Sequence, residues 1–305
     1  MRIVSIGEVL WDVFGAQEFL GGAPLNFSAA AQRLGNSVAL FTAVGDDAHG
    51  ERARRAMQLL GLTTEFVETC AGSPTGTAIV TTDADGNATY VIQRPAAFDH
   101  LASDGALLAR VNAFHPDWIY FGTLAQTCDN TARILFELVR TAPGARGFYD
   151  MNLRTSHWSL PLVQRLSSIA TVLKLNLAEA ELLFHSVFGS RPFSLEEFCR
   201  HWSAAYGAKT ICITLGGEGC AVFSEDRLQT FAGVPVQVVD TVGAGDAFAA
   251  AFLHGLHLGW PMRRIASFAN ALGALVASRS GATPPWTVEE CLELIPPAVR
   301  REWGD

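Results

Sequence analysis

A three-layer αβα fold, with a mainly parallel central sheet and a small β-sheet lid, is the architecture the sequence predicts, and three observations predict it. Short apolar runs rich in Val, Ile and Phe alternate with helix-period stretches along the chain, which is the rhythm of βαβ units with helices on both faces of the sheet. Residues 75–94, TGTAIVTTDADGNATYVIQR, break that rhythm: two alternating strands join around Asp-Gly-Asn and no helix follows. Glycines cluster at two turns into helices, Gly21-Gly22 and Gly243-Ala244-Gly245, where backbone has to come close to something.

In chain order, IVSIG at 3–7 is the first strand, and Glu8 and Asp12 interrupt any signal-peptide apolar core. Residues 11–23 follow as the first part of the lid, and a helical pattern covers 26–34. VALFTAVG at 38–45 is a strand and 50–60 a helix; the 75–94 hairpin supplies the rest of the lid. WIYFG at 118–122, GFYDMN at 147–152, TVLKLN at 171–176 and TICITLG at 210–216 are strands. Helices are expected at 129–141, 178–188 and 195–206. VPVQVVD reads as a strand ending at Asp240, and 246–258 as a helix. The division is a core of 1–10, 24–72 and 99–305 and a discontinuous lid of 11–23 and 73–98. That lid would cover the C-terminal edge of the sheet, where open α/β folds bind ligands.

Composition excludes several classes. Apolar residues make up 49% and charged residues 17%, a globular balance, and no uncharged run is long enough to span a membrane. The six cysteines carry no C-x-x-C pair, so buried thiols in a reducing cytoplasm fit better than disulfides or a zinc site. A net charge of −8 argues against a nucleic-acid surface. His254 and His257 are spaced i,i+3 but have no third ligand nearby in sequence, and a half-buried helix end accounts for them. The first βα turn lacks GxGxxG, which disfavours a dinucleotide oxidoreductase.

Chemistry concentrates in VVDTVGAGDAF, Val238 to Phe248. Glycines at a turn into a helix let successive N–H groups point into one cavity, and the helix N-terminus adds positive potential. That is an anion hole built from Gly243, Ala244 and Gly245. An acid held against it, Asp246, suits a base that takes a proton from a hydroxyl as it attacks a phosphate. Taken alone, Gly-x-Gly-Asp is better accounted for by a helix-capping aspartate.

A second region, GEVLWDVFGAQEFLGGAPLNFSAAAQRLG from Gly7 to Gly35, has an acid after the first strand, a Gly-Gly pair and Asn26 opening a helix. With DTVGAGD it resembles the two signatures of the PfkB (ribokinase-like) carbohydrate kinase family. The resemblance continues through AVGDDAHGERARRAMQLLGL, PTGTAIV, DMNLRTSHW, LKLNLAEAELL, ITLGGEGC and FANALGALVASRSGATP. It implies a ribokinase-like fold, ATP and Mg²⁺ as cofactors, and Asp246 as catalytic base beside the Gly243, Ala244 and Gly245 hole. Asn176 and Glu179 match the family's Asn-x-x-Glu motif, with Asn176 near the nucleotide phosphates and Glu179 reaching Mg²⁺ through water. Thr214, Gly216 and Gly219 are implied on the nucleotide side and Asn270 near adenine. Asp240, Val242 and Gly281 correspond to a monovalent-cation site, K⁺ in kind. Lys174 and Lys209 follow no GxxxxG run, so positive charge at the γ-phosphate is expected from Mg²⁺, backbone or arginine.

The same resemblance gives Asp12, Gly21, Gly22 and Asn26 to the sugar, with Arg94 and Arg154 as further candidates. A carboxylate accepts two hydroxyl donors and repels an acid sugar, which favours a neutral hexose. GGAPLN, NLR and Asp12 look most like bacterial fructokinases, whereas 2-keto-3-deoxygluconate kinases tend to carry an apolar residue at the Asp12 position. Met151 departs from the fructokinase D-P-N-L-R pattern. The alternatives are a 2-keto-3-deoxygluconate kinase or another sugar or nucleoside kinase of the family, and a catalytically inactive sugar- or nucleotide-binding regulator. Exposed lid strands imply a homodimer joined through the lids.

Overall fold

A computed structural model describes residues 1–82, 88–101, 105–301 and 303; the Asp-Gly-Asn turn of the expected hairpin lies outside them. The first third runs β1 (Arg2–Ile6), β2 (Leu10–Phe14), β3 (Gln17–Gly21), α1 (Ala23–Arg33), β4 (Ser37–Gly45), α2 (Ala48–Leu59), β5 (Val67–Cys70), β6 (Gly76–Thr82) and β7 (Ala88–Gln93). Then come α3 (Gly105–Ala113), β8 (Trp118–Phe121), α4 (Asp129–Thr141), β9 (Arg146–Asp150), α5 (Leu160–Ser167), β10 (Val172–Asn176), α6 (Leu177–Phe188) and α7 (Leu195–Tyr206). The chain ends with β11 (Thr210–Thr214), β12 (Gly219–Ser224), β13 (Arg227–Ala232), α8 (Ala244–His257), α9 (Met262–Ala277), α10 (Val288–Glu293) and α11 (Pro297–Arg301).

The strands form a nine-stranded sheet ordered β13-β12-β11-β10-β9-β8-β1-β4-β5 and a four-stranded sheet ordered β3-β2-β6-β7. In the large sheet β5 to β11 pair in parallel, while β12 and β13 add an antiparallel edge. Side chains alternate between its two faces, and the core divides accordingly. Ile3, Leu40, Trp118, Tyr120 and Phe148 pack with α1, α8 and α9. Val4, Phe41, Ile119, Phe121 and Tyr149 pack with α4, α5, α6 and α7. Helices therefore cover both faces, giving the three layers.

One expected strand is absent. Residues 233–240 form no ladder; Pro235 lacks a donor, and Val238 and Val239 are 60% exposed. The segment is held at its two ends, where Gly233 N–H donates to Glu218 O and the N–H groups of Val239 and Asp240 both donate to Ala277 O. His254 bonds Asn36 Oδ1, in keeping with a helix-end role. All six cysteines are free thiols, four of them buried. Among the described residues no helix is long and apolar enough to cross a membrane.

Candidate active site

The strand order reverses at β1, which lies between β4 and β8, and ligands of open α/β sheets bind in such a crevice. α8 starts there, two residues before the expected 246. Its N-cap is Gly243, with φ of 77°, a left-handed conformation that favours glycine; a Cβ would also strike the Ala282 backbone. Asp246 is thus a first-turn residue rather than the cap. The expected three-donor hole is narrower than the sequence implies. Ala244 N–H turns back to Thr241 O at 3.3 Å, while Gly243 and Gly245 N–H have no backbone acceptor among the described residues.

Asp246 is buried, and its Oδ2 accepts a hydrogen bond from Asn26 Nδ2 at 2.8 Å. Burial, and then the charge of Asp150, push its carboxyl up to about 6, against the opposing influence of Lys174, Asn26 and Arg154. A carboxyl of that strength is ionised at neutral pH yet basic enough to accept a proton from an attacking hydroxyl. Glu8, just after β1, is pushed up to about 7 by burial, with the Asp246 charge adding to it. Glu8 Oε2 and Asn26 Oδ1 are both buried without a partner. Unmatched acceptors of this kind are rare, and here two of them sit beside Asp246, a floor that lacks donors.

Asp12 lies on β2, half-buried, with its carboxyl raised to about 6 by burial and drawn down by Arg154. A Cβ on Gly21 would lie 2.9 Å from Asp12 Oδ2, and one on Gly22 would meet Glu8 O, so the Gly-Gly pair gives room to the Asp12 carboxylate and to the Glu8 backbone carbonyl. Arg154 is exposed, and its field reaches Asp12, Glu8 and Asp246. Arg94 is placed differently from the expectation of a sugar contact. It ion-pairs with Asp99, donates to Leu124 O and Thr127 Oγ1 and lies over the Phe98 ring. All of its donor nitrogens are occupied, which makes it a brace at the foot of the second sheet.

Next to the hole, Thr214, Gly216, Gly219, Ala244, Gly245 and Asn270 line one cleft of about 240 Å³, with Val234, Val236 and Val238 as its apolar wall. Asn270 donates to Phe231 O and Ala232 O, leaving its amide oxygen for a ligand. Asn176 caps α6: its Oδ1 accepts from Glu179 N–H at 2.9 Å, and Glu179 Oε2 accepts from Asn176 N–H at 2.8 Å, a reciprocal capping box. Glu179 Oε1 accepts from Leu153 N–H at 2.6 Å, tying α6 to the loop that carries Arg154. Among the described residues no cluster of three or more acids, histidines or cysteines is arranged to cage a metal. The donors fit an Mg²⁺ ion that arrives on phosphates and keeps its waters, with Glu179 nearby. Asp240 accepts from Val242 N–H and Gly281 N–H, each at 3.0 Å, so that trio also meets.

The sequence reading missed Lys174, Asp150, Tyr120 and Glu8. Lys174 Nζ lies 3.0 and 3.1 Å from the two Asp150 oxygens, and Tyr120 OH donates to Asp150 Oδ2 at 3.1 Å. A signal existed: Asp150 and Lys174 are charges inside apolar strand runs, and buried charges are paired.

Residues 3–289 match the family described as pfkB family carbohydrate kinase. Fructokinase-1 of Oryza sativa subsp. japonica is 30% identical, covering 96% of this chain and 97% of its own. The fructokinase of Vibrio alginolyticus is 29% identical over 86% of each chain. The crystal structure of fructokinase with bound ATP from Xylella fastidiosa shares the fold, with a TM-score of 0.84 at 23% identity over 96% of this chain and 98% of that one. With the signatures, the three-layer fold and the crevice in agreement, the chain belongs to the pfkB family of carbohydrate kinases.

Proposed function

We propose that the protein transfers the γ-phosphoryl group of ATP to a hydroxyl of fructose, a neutral ketohexose. One observation carries the sugar class: Asp12, packed against Gly21 and sharing the field of Arg154 with Asp246, accepts no side-chain hydrogen bond among those described. Its two oxygens are left for two sugar hydroxyls. Asp246 takes the proton of the attacking hydroxyl; the oxygen bonds to phosphorus as the bond to ADP breaks. The N–H groups of Gly243 and Gly245 face the charge of the transferred group. Mg²⁺ offsets the charge of the nucleotide phosphates, and a K⁺ ion beside Asp240, Val242 and Gly281 belongs to the same reading. The fructokinase relatives and the free thiols support this assignment and a cytoplasmic setting.

An ADP-release assay over fructose, 2-keto-3-deoxygluconate, ribose and nucleosides, with Mg²⁺ and K⁺ each supplied or withheld, tests it. Fructose is expected to have the highest kcat/KM, with Mg²⁺ required and K⁺ stimulating. Asp12→Ala is expected to raise KM for fructose roughly tenfold or more, since a charge-assisted hydrogen bond contributes ~1.5–3 kcal/mol and 1.4 kcal/mol is a factor of ten. The KM for ATP should stay near wild type. A wild-type preference for the acid sugar, with affinity unchanged or improved in Asp12→Ala, would reject fructose in favour of 2-keto-3-deoxygluconate bound through Arg154. No turnover with any sugar would favour a binding protein.

The four-stranded sheet, which begins at Leu10 and otherwise falls within 11–23 and 73–98, is in this reading a lid that closes over the sugar and excludes water from ATP. Its cross-strand neighbours Ile79 and Val91 are 39% and 52% exposed, and β3 and β7 are open edges of the kind proteins cover by pairing. A homodimer joined through these sheets is expected. A monomer by light scattering at micromolar concentration would reject it.

A further inference from the structure

Asp246 works as a base only while ionised, yet its surroundings oppose ionisation. It is buried, and the charge of Asp150 at the end of β9 opposes its ionisation; Glu8 after β1 and Tyr120 on β8, both raised by burial and further by the Asp246 charge, are its other titratable neighbours. Asn26 on α1 donates one hydrogen bond. The only positive charges acting on Asp246 among the described groups are Lys174 on β10 and Arg154 in the exposed loop after β9. Arg154 is in water and screened. Lys174 is buried.

The geometry fixes where the Lys174 ammonium lies. Lys174 and Asp150 are register partners on the parallel strands β10 and β9, which holds Nζ against both carboxylate oxygens. On its other side is the glycine loop: a Cβ on Gly245 would lie 3.3 Å from Nζ. Gly245 is not among the residues with positive φ, and a side chain there would press on the ammonium. Lys174 also feels the charges of Asp246 and Glu179, and so stands between the base, the anion hole and the α6 cap.

We propose that Lys174, clasped by Asp150, is a positioning cation of the phosphoryl-transfer site, held under the Gly243–Gly245 turn so that Asp246 stays in its ionised, proton-accepting form. The proposal rests on the reading of Asp246 as base. It also revises the expectation that positive charge at this site comes from Mg²⁺, backbone or arginine alone. Lys174 acts on the base without touching substrate, and without it Asp246 and Asp150 would be two like charges sharing one dry site, of which one stays protonated.

The test uses Lys174→Met, which keeps the stem and removes the charge, and Lys174→Met with Asp150→Asn, which removes both charges and leaves no buried ion unpaired. Two quantities are read: the ¹³C-carboxyl titration of Asp246 in ligand-free protein, and the acidic limb of kcat/KM against pH. In Lys174→Met both midpoints should rise by about one pH unit or more. In the double variant both should return to within roughly half a unit of wild type, because the opposing charge leaves with the cation. An unmoved Asp246 midpoint in Lys174→Met, or a double variant that stays at the single-variant value, would overturn the proposal. A carboxyl midpoint that moves while the rate limb does not would uphold the Lys174 effect and refute Asp246 as base.

Discussion

Replacing Asp246 by asparagine is expected to lower kcat by at least ~10²-fold, the lower scale for general acid–base catalysis, while KM for ATP and sugar changes little. Asparagine retains an oxygen that can accept the bond from Asn26 Nδ2, now made to Asp246 Oδ2 at 2.8 Å, so the side-chain position survives while basicity is lost. The pH profile carries the same information. With Asp246 held at about 6, wild-type kcat/KM should fall as pH drops through about 6, because the base becomes protonated; the Asn variant should lose that limb. Stability separates chemistry from unfolding. A carboxyl raised from 3.8 to about 6 on folding favours the folded state at low pH and loses that contribution as pH rises through 6. Asp246→Asn should therefore be at least as stable as wild type at pH 8. Turnover near wild type in a folded Asn variant would remove Asp246 from the mechanism.

The parts of this site that could be read from sequence are those encoded locally. Asp246 follows its glycines directly, Asn176 and Glu179 are three residues apart, and Gly21, Gly22 and Asn26 share one turn and helix start. The parts that could not be read depend on which strands become neighbours. Asp150 and Lys174 are 24 residues apart and meet only because β9 and β10 pair in parallel at that register. The Asn26–Asp246 bond spans 220 residues and follows from α1 packing against α8 on one face of the sheet. Local chemistry also misled twice. VPVQVVD has β-branched alternation, but a strand needs a partner, and this segment became one wall of the cleft beside Gly245. Arg94 is close to the site in sequence terms, but Asp99, five residues on, captures its guanidinium. The fold itself was readable because both faces of a buried parallel sheet demand apolar runs, and those runs alternate with helices regardless of tertiary detail.

Glu8 gives the largest effect expected away from the chemical step. It is fully buried, one of its oxygens has no partner, and its carboxyl rises from 4.5 to about 7 on folding. Burial favours the neutral acid, so the folded protein holds this proton more tightly than the unfolded chain. The resulting stability is fully present below pH 4.5 and is lost as pH rises through about 7. A shift of this size corresponds to about 3 kcal/mol at ~1.4 kcal/mol per pH unit. Glu8→Gln keeps the shape and cannot ionise. Its unfolding free energy should be flat where wild type declines, so the difference between wild type and variant should shift by about 3 kcal/mol in favour of the variant between pH 4.5 and pH 8. Denaturant unfolding of both proteins across that range measures it directly. Parallel stability curves would mean that Glu8 is ionised in the folded protein, paired with Arg154 rather than held as a neutral acid.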